Sequence, residues 1–267
     1  MYYSVLDFIR YNAVIIRYEK GIFMRNEIGQ YTNTINTLKL EERVLTHNTL
    51  IIGEVGSGKT NLACRIRNYA IDNSVPTLYM DFNNSFEGDI ELRYKDENFN
   101  YIKFEESEAF DTAFNALVTA KKHIYMAVDP KYFSNKKDLQ SRLSKTIAQD
   151  VLLENYYYFF HDIENLNGFY TKFEDFLLYM LSFIRLQKYG FTFLAQPHET
   201  FENQHLKLLF TFLYLGRCSN ANYFNTSILK TLTKNEFYYQ YRTSYQTLLF
   251  NDIKSNIVKI DEYILED

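Results

Sequence analysis

The stretch Thr49-Leu-Ile-Ile-Gly-Glu-Val-Gly-Ser-Gly-Lys-Thr60 runs from a short apolar segment into a glycine-rich loop, and Asn61–Ile71 continues it with helical periodicity. Residues 53–60 match the pattern G-x-x-x-x-G-K-[ST], in the strand–loop–helix context that this pattern requires. The glycines allow backbone N–H groups to curl around phosphate oxygens, and the start of the following helix adds partial positive charge. The sequence therefore predicts a phosphate loop that binds a nucleoside triphosphate.

Two side chains of this loop have separate predicted roles. Lys59 is expected to reach the β- and γ-phosphates, and Thr60 is expected to offer its hydroxyl to Mg²⁺. The predicted cofactors are accordingly ATP and Mg²⁺. The residues predicted to bind the nucleotide form one continuous run, which consists of Gly53, Glu54, Val55, Gly56, Ser57, Gly58, Lys59, Thr60 and Asn61.

Composition narrows the class of protein. A net charge of −4 over 267 residues excludes a surface that is basic everywhere, so any contact with nucleic acid must be local. The two cysteines, Cys64 and Cys218, make neither a metal motif nor a disulfide framework. The sequence has no signal peptide and no apolar run of the length that a membrane span needs. We therefore expect a cytoplasmic protein with no membrane span.

Strand and helix patterns alternate through the middle of the chain, as they do in proteins with a parallel sheet. The predicted strands after the phosphate loop are Thr77–Asp81, Phe99–Phe104, His123–Val128, Tyr156–Phe160 and Phe191–Ala195. The second of these is expected to run antiparallel. Apolar spacing predicts helices over 110–117, 139–151 and 173–184. The fold class predicted is α/β, with a mostly parallel central sheet flanked by helices and small β-containing additions at both ends.

Approximate boundaries near residues 47 and 224 divide the chain into three predicted parts. Residues 1–47 are expected to form a small β-rich cap or assembly segment, and residues 48–224 the phosphate-loop core. Residues 225–267 are expected to form a helix and a β-hairpin packed on the core, with Glu236–Tyr241 and Tyr245–Phe250 as the hairpin strands.

A phosphate loop requires an acidic partner at the end of a buried strand, to hold the Mg²⁺ shell and to orient the attacking water. Asp129 and Asp162 each follow such a strand. We favour Asp162, because Glu164 lies close by and a cluster of acids serves both metal binding and water activation. Two assignments remain open. Either Asp162 holds the metal and Glu164 positions water, or Asp162 is the general base and His161 occupies the metal-side position.

Three further polar residues are candidates for a part in hydrolysis. Gln196 follows the strand Phe191–Ala195, in the crevice where ligands of open α/β sheets collect, and is placed to sense the γ-phosphate. Arg217 and Arg185 are alternative candidates for an arginine supplied to a neighbouring subunit's nucleotide, since a guanidinium stabilises the charge of phosphoryl transfer.

From about Leu50 to Arg217 the sequence resembles the HerA/FtsK superfamily of phosphate-loop DNA-translocating ATPases. Pro76–Asn83 resembles the family's strand that ends in Asp, and Tyr158–Leu166 resembles its acidic strand end. Lys188–Pro197 is similar to the family segment in which a glycine and an apolar strand lead to a Gln and a Pro.

Two features depart from the family pattern. Where the family has an adjacent Asp-Glu pair, this sequence has His161-Asp-Ile-Glu164. Gln187 replaces the arginine that usually precedes the segment that leads to the glycine, here Gly190. Arg185 is then a stand-in for that arginine.

The resemblance implies a RecA-like core that works as a hexameric ring and pulls double-stranded DNA through a central pore while hydrolysing ATP. It implies a role in viral genome packaging or in plasmid and DNA transfer, with a viral portal, a capsid or a nuclease as a further partner. The location would be the host cytoplasm or a virion. The candidate pore elements are Asn83–Arg93 and a loop over 131–137 that contains Lys131, Lys136 and Lys137.

Two other classes of function remain as alternatives. One is an AAA-type loader or initiator ATPase, in which Asp129 would close the acidic strand. The other is a nucleotide-gated scaffold with little turnover, which the irregular His-Asp-Ile-Glu spelling would permit.

Overall fold

The structure is a computed structural model that describes residues 27–31, 37–40, 42–83, 99–105, 107–129, 155–169, 177, 188–202, 206, 209–219, 227–241 and 257–261. Eleven β-strands within these residues form one mixed sheet. The strands are β1 (Glu27–Tyr31), β2 (Thr37–Lys39), β3 (Thr49–Ile52), β4 (Thr77–Asp81), β5 (Phe99–Lys103), β6 (His123–Ala127), β7 (Tyr157–His161), β8 (Phe191–Ala195), β9 (Phe212–Leu215), β10 (Glu236–Tyr241) and β11 (Ile257–Ile260).

The sheet has a parallel half and an antiparallel half, in the order β2-β1-β11-β10-β9-β3-β8-β7-β4-β6-β5. The strands from β9 to β5 all pair in parallel. Strands β10, β11, β1 and β2 extend the sheet from β9 through antiparallel pairs. The first and the last described strands therefore pair in the antiparallel half, where β1 lies between β2 and β11.

Three α-helices are described: α1 (Arg43–Thr46), α2 (Lys59–Asp72) and α3 (Glu108–Thr119). Three 3₁₀ helices add short connections at Ile163–Phe169, Glu199–Glu202 and Ser227–Lys230.

The two longer helices cover opposite faces of the sheet. Ile66 of α2 belongs to the same apolar cluster as Ile51, whereas Phe114 of α3 belongs to the cluster that contains Leu50 and Ile52. Successive residues of a strand point to opposite faces, so β3 contributes to both clusters and is buried along its whole length.

An aromatic ladder crosses the parallel half on the side of α2. The rings of Tyr101, Tyr125, Tyr79 and Phe159 follow one another on four neighbouring strands, with centroid separations of 5.4, 4.8 and 5.2 Å. Much of the high tyrosine and phenylalanine content is thus core. The Tyr125 hydroxyl also donates to Asp81 Oδ2 at 3.0 Å, which fixes a buried carboxylate at the end of β4.

The predicted mostly parallel α/β sheet is confirmed, and one strand direction is corrected. The segment predicted to run antiparallel forms β5, which pairs in parallel with β6. The reason is the helix between them, because a strand–helix–strand crossover returns the chain in the same direction.

Other predicted segments lie outside the described residues. These are the helix over 139–151, nearly all of the helix over 173–184, and the hairpin strand Tyr245–Phe250. In the described residues β10 pairs with β11, which the sequence patterns did not predict. The boundaries at residues 47 and 224 stay predictions.

Gly190 lies between α1 and the start of β8, in close contact with the backbone. Its N–H donates to the carbonyl of Leu45 at 2.8 Å, and a Cβ placed on Gly190 would overlap the backbone carbonyl of His47. Only a residue without a side chain fits between these two elements.

We expect Gly190→Ala to lower the free energy of unfolding by about 1–3 kcal/mol, because the added methyl group meets backbone that cannot rotate away. Chemical denaturation measures this change. An unchanged unfolding midpoint would show that α1 does not pack against β8 as described.

Candidate functional site

The site lies where the parallel strands β3, β8 and β7 end at one edge of the sheet. Gly53 follows β3, Gln196 follows β8 and Asp162 follows β7, and the three strands are neighbours in that order. Strands in a sheet are about 4.8 Å apart, so the end of β7 lies roughly 10 Å from the phosphate loop. Asp129 follows β6, four strands from β3 or roughly 19 Å. The topology therefore places Asp162, and not Asp129, near the loop.

The loop itself turns through two glycines with left-handed backbone. Gly56 has φ +79° and Gly58 has φ +100°. Lys59 folds back inside this turn, with Nζ donating to the carbonyl oxygens of Gly53 at 2.7 Å and Glu54 at 3.2 Å. Its side chain is buried, and burial lowers its pKa while the charges of Asp162, Glu164 and Glu54 oppose that change.

Helix α2 begins in a way that leaves its first N–H groups available. Gly58 is the N-cap, no side chain of the described residues caps the helix, and the first turn holds no acid. Helix α3 is the contrast within the same chain. There Ser107 accepts from the N–H of Phe110, and Glu108 lies in the first turn. Uncapped N–H groups at a helix start bind anions, so the exception at α2 points to a ligand.

The loop residues fit a bound phosphate chain. A Cβ placed on Gly56 would have nothing within 4 Å, so the tip of the loop faces open space. The hydroxyl oxygen of Ser57 is buried and has no hydrogen-bond partner among the described residues. Open space, unsatisfied donors and a buried cation in one loop suit a polyphosphate.

Two carboxylates follow β7. Asp162 is mostly buried and has left-handed backbone, with φ +53°. Glu164 comes next in the 3₁₀ helix, and both of its carboxylate oxygens are buried without a hydrogen-bond partner in the described part of the chain. The backbone amides of Glu164 and Gln196 lie near this carboxylate without making hydrogen bonds of normal geometry.

The environment of Glu164 disfavours its charge. Burial, and then the negative charge of Asp162, raise the pKa of Glu164 from its ordinary value of 4.5 to about 7. A carboxylate with a pKa near neutrality suits proton transfer at physiological pH. This carboxylate lies close enough to Lys59 for each charge to affect the pKa of the other.

His161 lies between two carboxylates. Its Nδ1 is 3.7 Å from Asp81 Oδ1, and its Nε2 is 3.7 Å from Asp162 Oδ1. Asp81 is fully buried and is held by the Tyr125 hydroxyl and by the N–H of Asn83 at 2.9 Å. A line of polar groups thus connects the aromatic ladder to Asp162.

The oxygen atoms at this edge also fit Mg²⁺. Within the described residues no three His, Cys, Asp or Glu side chains converge on a complete metal site. Mg²⁺ does not need one, because it usually keeps several waters and takes one or two protein oxygens beside substrate phosphates. Thr60 and Asp162 supply oxygens of this kind.

Arg217 lies beside the phosphate loop of its own chain. Its Nε is 3.8 Å from Glu54 Oε2, and its side chain is 46% exposed. Glu54 is also held by the hydroxyl and the N–H of Ser219. These bonds from Ser219, more than the charge of Arg217, lower the pKa of Glu54.

The structure describes some of the other predicted site residues, whose exposure varies, and does not describe the rest. Val55 is exposed at the loop tip, Thr60 and Gln196 are half-buried, and Asn61 is buried. Arg185, residues 84–93 and the loop over 131–137 lie outside the described residues.

Sequence patterns did not identify two residues from the C-terminal part of the chain that form hydrogen bonds with the phosphate loop. Ser219 binds Glu54, and Asn235 contacts the loop at its other end. The only sequence signal was the polar turn Thr233-Lys-Asn-Glu236, and such turns are common before strands.

In the part of the chain that the structure describes, none of the helices combines the length and the apolar character that crossing a bilayer would require.

No family profile and no curated protein sequence matches this chain. Solved structures do. B204, the DNA-packaging ATPase from Sulfolobus turreted icosahedral virus, matches with a TM-score of 0.53 at 12% identity, over 82% of this chain and 98% of that chain. The pCW3 conjugation coupling protein TcpA, in its monomer form with ATPγS, gives a TM-score of 0.50 at 12% identity, over 88% of this chain and 65% of that one. This chain therefore spans less than two thirds of TcpA.

A third similar structure is the cytoplasmic domain of the Thermomonospora curvata type VII secretion ATPase EccC. Its TM-score is 0.50 at 11% identity, over 92% of this chain and 30% of that chain. At such identities the similarity is one of fold. The chain has an α/β, RecA-like phosphate-loop fold like that of these structures, as predicted from its sequence.

Proposed function

We propose that this protein is an ATP-driven DNA translocase of the HerA/FtsK type, which hydrolyses ATP with Mg²⁺ and moves double-stranded DNA as an oligomeric ring. The observation that carries the proposal is the placement of Glu164. Its buried carboxylate has no hydrogen-bond partner among the described residues, and it lies close enough to Lys59, the first residue of α2, for the charge of Lys59 to affect its pKa. A carboxylate base beside a phosphate-binding loop is the arrangement that hydrolysis of the phosphoanhydride bond of ATP requires.

The nucleotide is held by the loop and its lysine. The N–H groups at the start of α2 receive phosphate oxygens, and Lys59 exchanges its contacts with the carbonyls of Gly53 and Glu54 for the β- and γ-phosphates. Desolvation makes this exchange favourable, because a buried ammonium gains more from an anion than from neutral carbonyls.

We assign the metal side of the site to Thr60 and Asp162 and the water to Glu164. Mg²⁺ binds hard oxygen ligands, which favours a carboxylate over the imidazole of His161. Water attacks the γ-phosphorus, the bond to the β-phosphate oxygen breaks and ADP leaves; bound Mg²⁺ would supply stabilisation of the negative charge that develops on these oxygens. Glu164 then accepts the proton of the attacking water, and Gln196, whose backbone lies beside that carboxylate, contacts the γ-phosphate.

The proposed substrate follows from the structural neighbours. B204 is a DNA-packaging ATPase and TcpA is a conjugation coupling protein, and both share this chain's fold. We infer that this protein also acts on double-stranded DNA, in genome packaging or in DNA transfer. The loop over 131–137 is the proposed DNA contact, since a motor grips the sequence-independent phosphate backbone.

A ring would place an arginine at the neighbouring subunit's nucleotide. For Arg217 this requires breaking its ion pair with Glu54 of the same chain. That pair is partly exposed, so the exchange costs little. Arg185 remains the alternative candidate.

Long duplex DNA is expected to stimulate ATP hydrolysis, and the stimulation is expected to fall steeply with added salt because phosphate contacts dominate. Steady-state ATPase assays with and without DNA measure this, with Lys59→Ala as the inactive control. Turnover that ignores DNA would indicate a loader or initiator ATPase instead. Tight ATP binding with negligible turnover would indicate a nucleotide-gated scaffold.

Glu164→Gln is expected to reduce the turnover number by roughly 10²–10⁴-fold while leaving ATP affinity nearly unchanged, because the amide cannot accept the proton of water. Single-turnover hydrolysis and equilibrium binding measure the two quantities separately. Equal turnover in Glu164→Gln and wild type would transfer the role of base to Asp162.

The same substitution is expected to stabilise the nucleotide-free, metal-free protein at pH 8. The pKa of Glu164 is raised in the folded state, to about 7 from 4.5, so the folded protein loses stability as pH rises through this interval. Removing the charge should recover on the order of 3 kcal/mol at pH 8, since the two pKa values differ by about 2.5 and each pKa unit corresponds to about 1.4 kcal/mol. Below pH 4.5 the difference should vanish.

Chemical denaturation of wild type and Glu164→Gln at pH 8 and below pH 4.5 tests this expectation. The exposed Glu105, changed to Gln, is the matched control and should alter stability little at either pH. A Glu164→Gln variant that is less stable than wild type at pH 8 would mean that its carboxylate has a favourable partner.

A further inference from the structure

Asn235, at the start of β10, contacts the phosphate loop from the C-terminal part of the chain. It is buried, and its backbone is left-handed with φ +65°. Its N–H donates to the carbonyl of Ser57 at 2.9 Å. A Cβ placed on Gly58 would overlap Asn235, so the two backbones approach as closely as a glycine allows.

The side chain of Asn235 makes a second contact, with the first turn of α2. Its Oδ1 accepts from Asn61 Nδ2 at 3.2 Å, and the same Nδ2 donates to the carbonyl of Asp261 at 2.9 Å. Arg65 Nη2 also donates to Asp261, at 3.3 Å. Asp261 directly follows β11, and the N–H of Ile260 donates to the carbonyl of Asn235 at 2.8 Å.

These contacts set the direction of one peptide unit in the loop. The described peptide bonds are all trans, so the Ser57 carbonyl and the Gly58 N–H of their shared peptide point in opposite directions. Because the carbonyl is held by Asn235, the Gly58 N–H is directed away from Asn235. This direction leaves the Gly58 N–H unobstructed by Asn235 for a phosphate oxygen.

We propose that Asn235 is a positioning residue for the phosphate loop: it holds the peptide between Ser57 and Gly58 and the first turn of α2 in the orientation that receives a nucleotide. This inference rests on the proposed function. It gives the antiparallel strands β10 and β11 a part in the nucleotide site, which their position outside the parallel half of the sheet does not suggest. The contribution is preorganisation, since Asn235 itself does not touch the ligand.

Asn235→Gly is the most direct test, because glycine keeps the left-handed backbone and the N–H that binds Ser57 while removing the contact with Asn61. We expect ATPγS affinity to fall by about three- to tenfold, the effect of one buried hydrogen bond. KM for ATP should rise by a similar factor with little change in kcat, because a preorganised binding interaction is lost.

Lys121→Gly is the matched control. Lys121 is another non-glycine residue with left-handed backbone, at φ +51°, and it is exposed after α3, far in the sequence from the phosphate loop. Both substitutions introduce the same extra freedom in the unfolded chain. Only Asn235→Gly should change nucleotide affinity.

Amide hydrogen exchange over residues 57–61 of the nucleotide-free protein gives a readout that does not depend on nucleotide binding. Exchange should be roughly two- to tenfold faster in Asn235→Gly than in Lys121→Gly. Asn61→Ala should speed exchange at least as much as Asn235→Gly, because it removes the bond to Asn235 and also the bond to the Asp261 carbonyl. Adding Asn235→Gly to Asn61→Ala should then change exchange little, since the contact between the two side chains is already lost. The Asn61→Ala variant also decides the matter if Asn235→Gly does not fold.

The outcomes separate this inference from the proposed function. Wild-type protein that takes up no ATPγS would contradict the proposed function, while faster exchange in Asn235→Gly would still support the positioning role. Wild-type protein that binds ATPγS, with Asn235→Gly equal to Lys121→Gly in both affinity and exchange, would overturn the positioning role alone.

Discussion

The structure depends on keeping the first N–H groups of α2 free of any capping side chain among the described residues. Helix starts are normally capped or faced by acids, as α3 is in this same chain. At α2 the backbone turns into the helix through Gly58 instead. Lys59, buried inside the loop, adds a cation whose hydrogen-bond acceptors among the described residues are two backbone carbonyls. Both features favour the binding of an anion.

The acidic side of the site shows the complementary arrangement. The carboxylate oxygens of Glu164 are buried without a hydrogen-bond partner among the described residues, at a cost in folding free energy that is larger when the group is charged. Asp162 lies close to it, and His161 and Asp81 connect Asp162 to Tyr125 in the core. A destabilised carboxylate on a rigid support is common at sites that move protons. The same feature is unnecessary for a scaffold, which needs only to bind.

Much of the fold and of the site could be predicted, because their signals are local in the sequence. The phosphate loop, the strands that end at Asp162 and Gln196, and the helical stripe of α2 each lie within about a dozen residues. The direction of β5 was predicted wrongly, although the helix between β5 and β6 was itself predicted and implies a parallel crossover. The predicted helix was therefore enough to indicate a parallel β5, and the antiparallel prediction did not take it into account.

The support of the loop could not be predicted, because its contacts are distant and made largely by backbone. Asn61 and Asn235 are 174 residues apart. The hydrogen bond from the Asn235 N–H to the Ser57 carbonyl is made by backbone, so it does not require a particular side chain. The left-handed backbone at this position only favours residues such as Asn and Gly. The sequence favoured Asp162 over Asp129 because of the nearby Glu164, but the distance of each acid from the loop depends on strand order, which places β7 two strands from β3 and β6 four. Order in a sheet is a property of the whole chain.

The most direct measurement is calorimetric titration of the folded protein with ATP and Mg²⁺, alongside Lys59→Ala. The account predicts saturable binding by wild type that the substitution abolishes or weakens by orders of magnitude, since the loop and its lysine are the anion site. Well-folded wild-type protein that takes up no ATP, or a Lys59→Ala variant that binds as well as wild type, would contradict it.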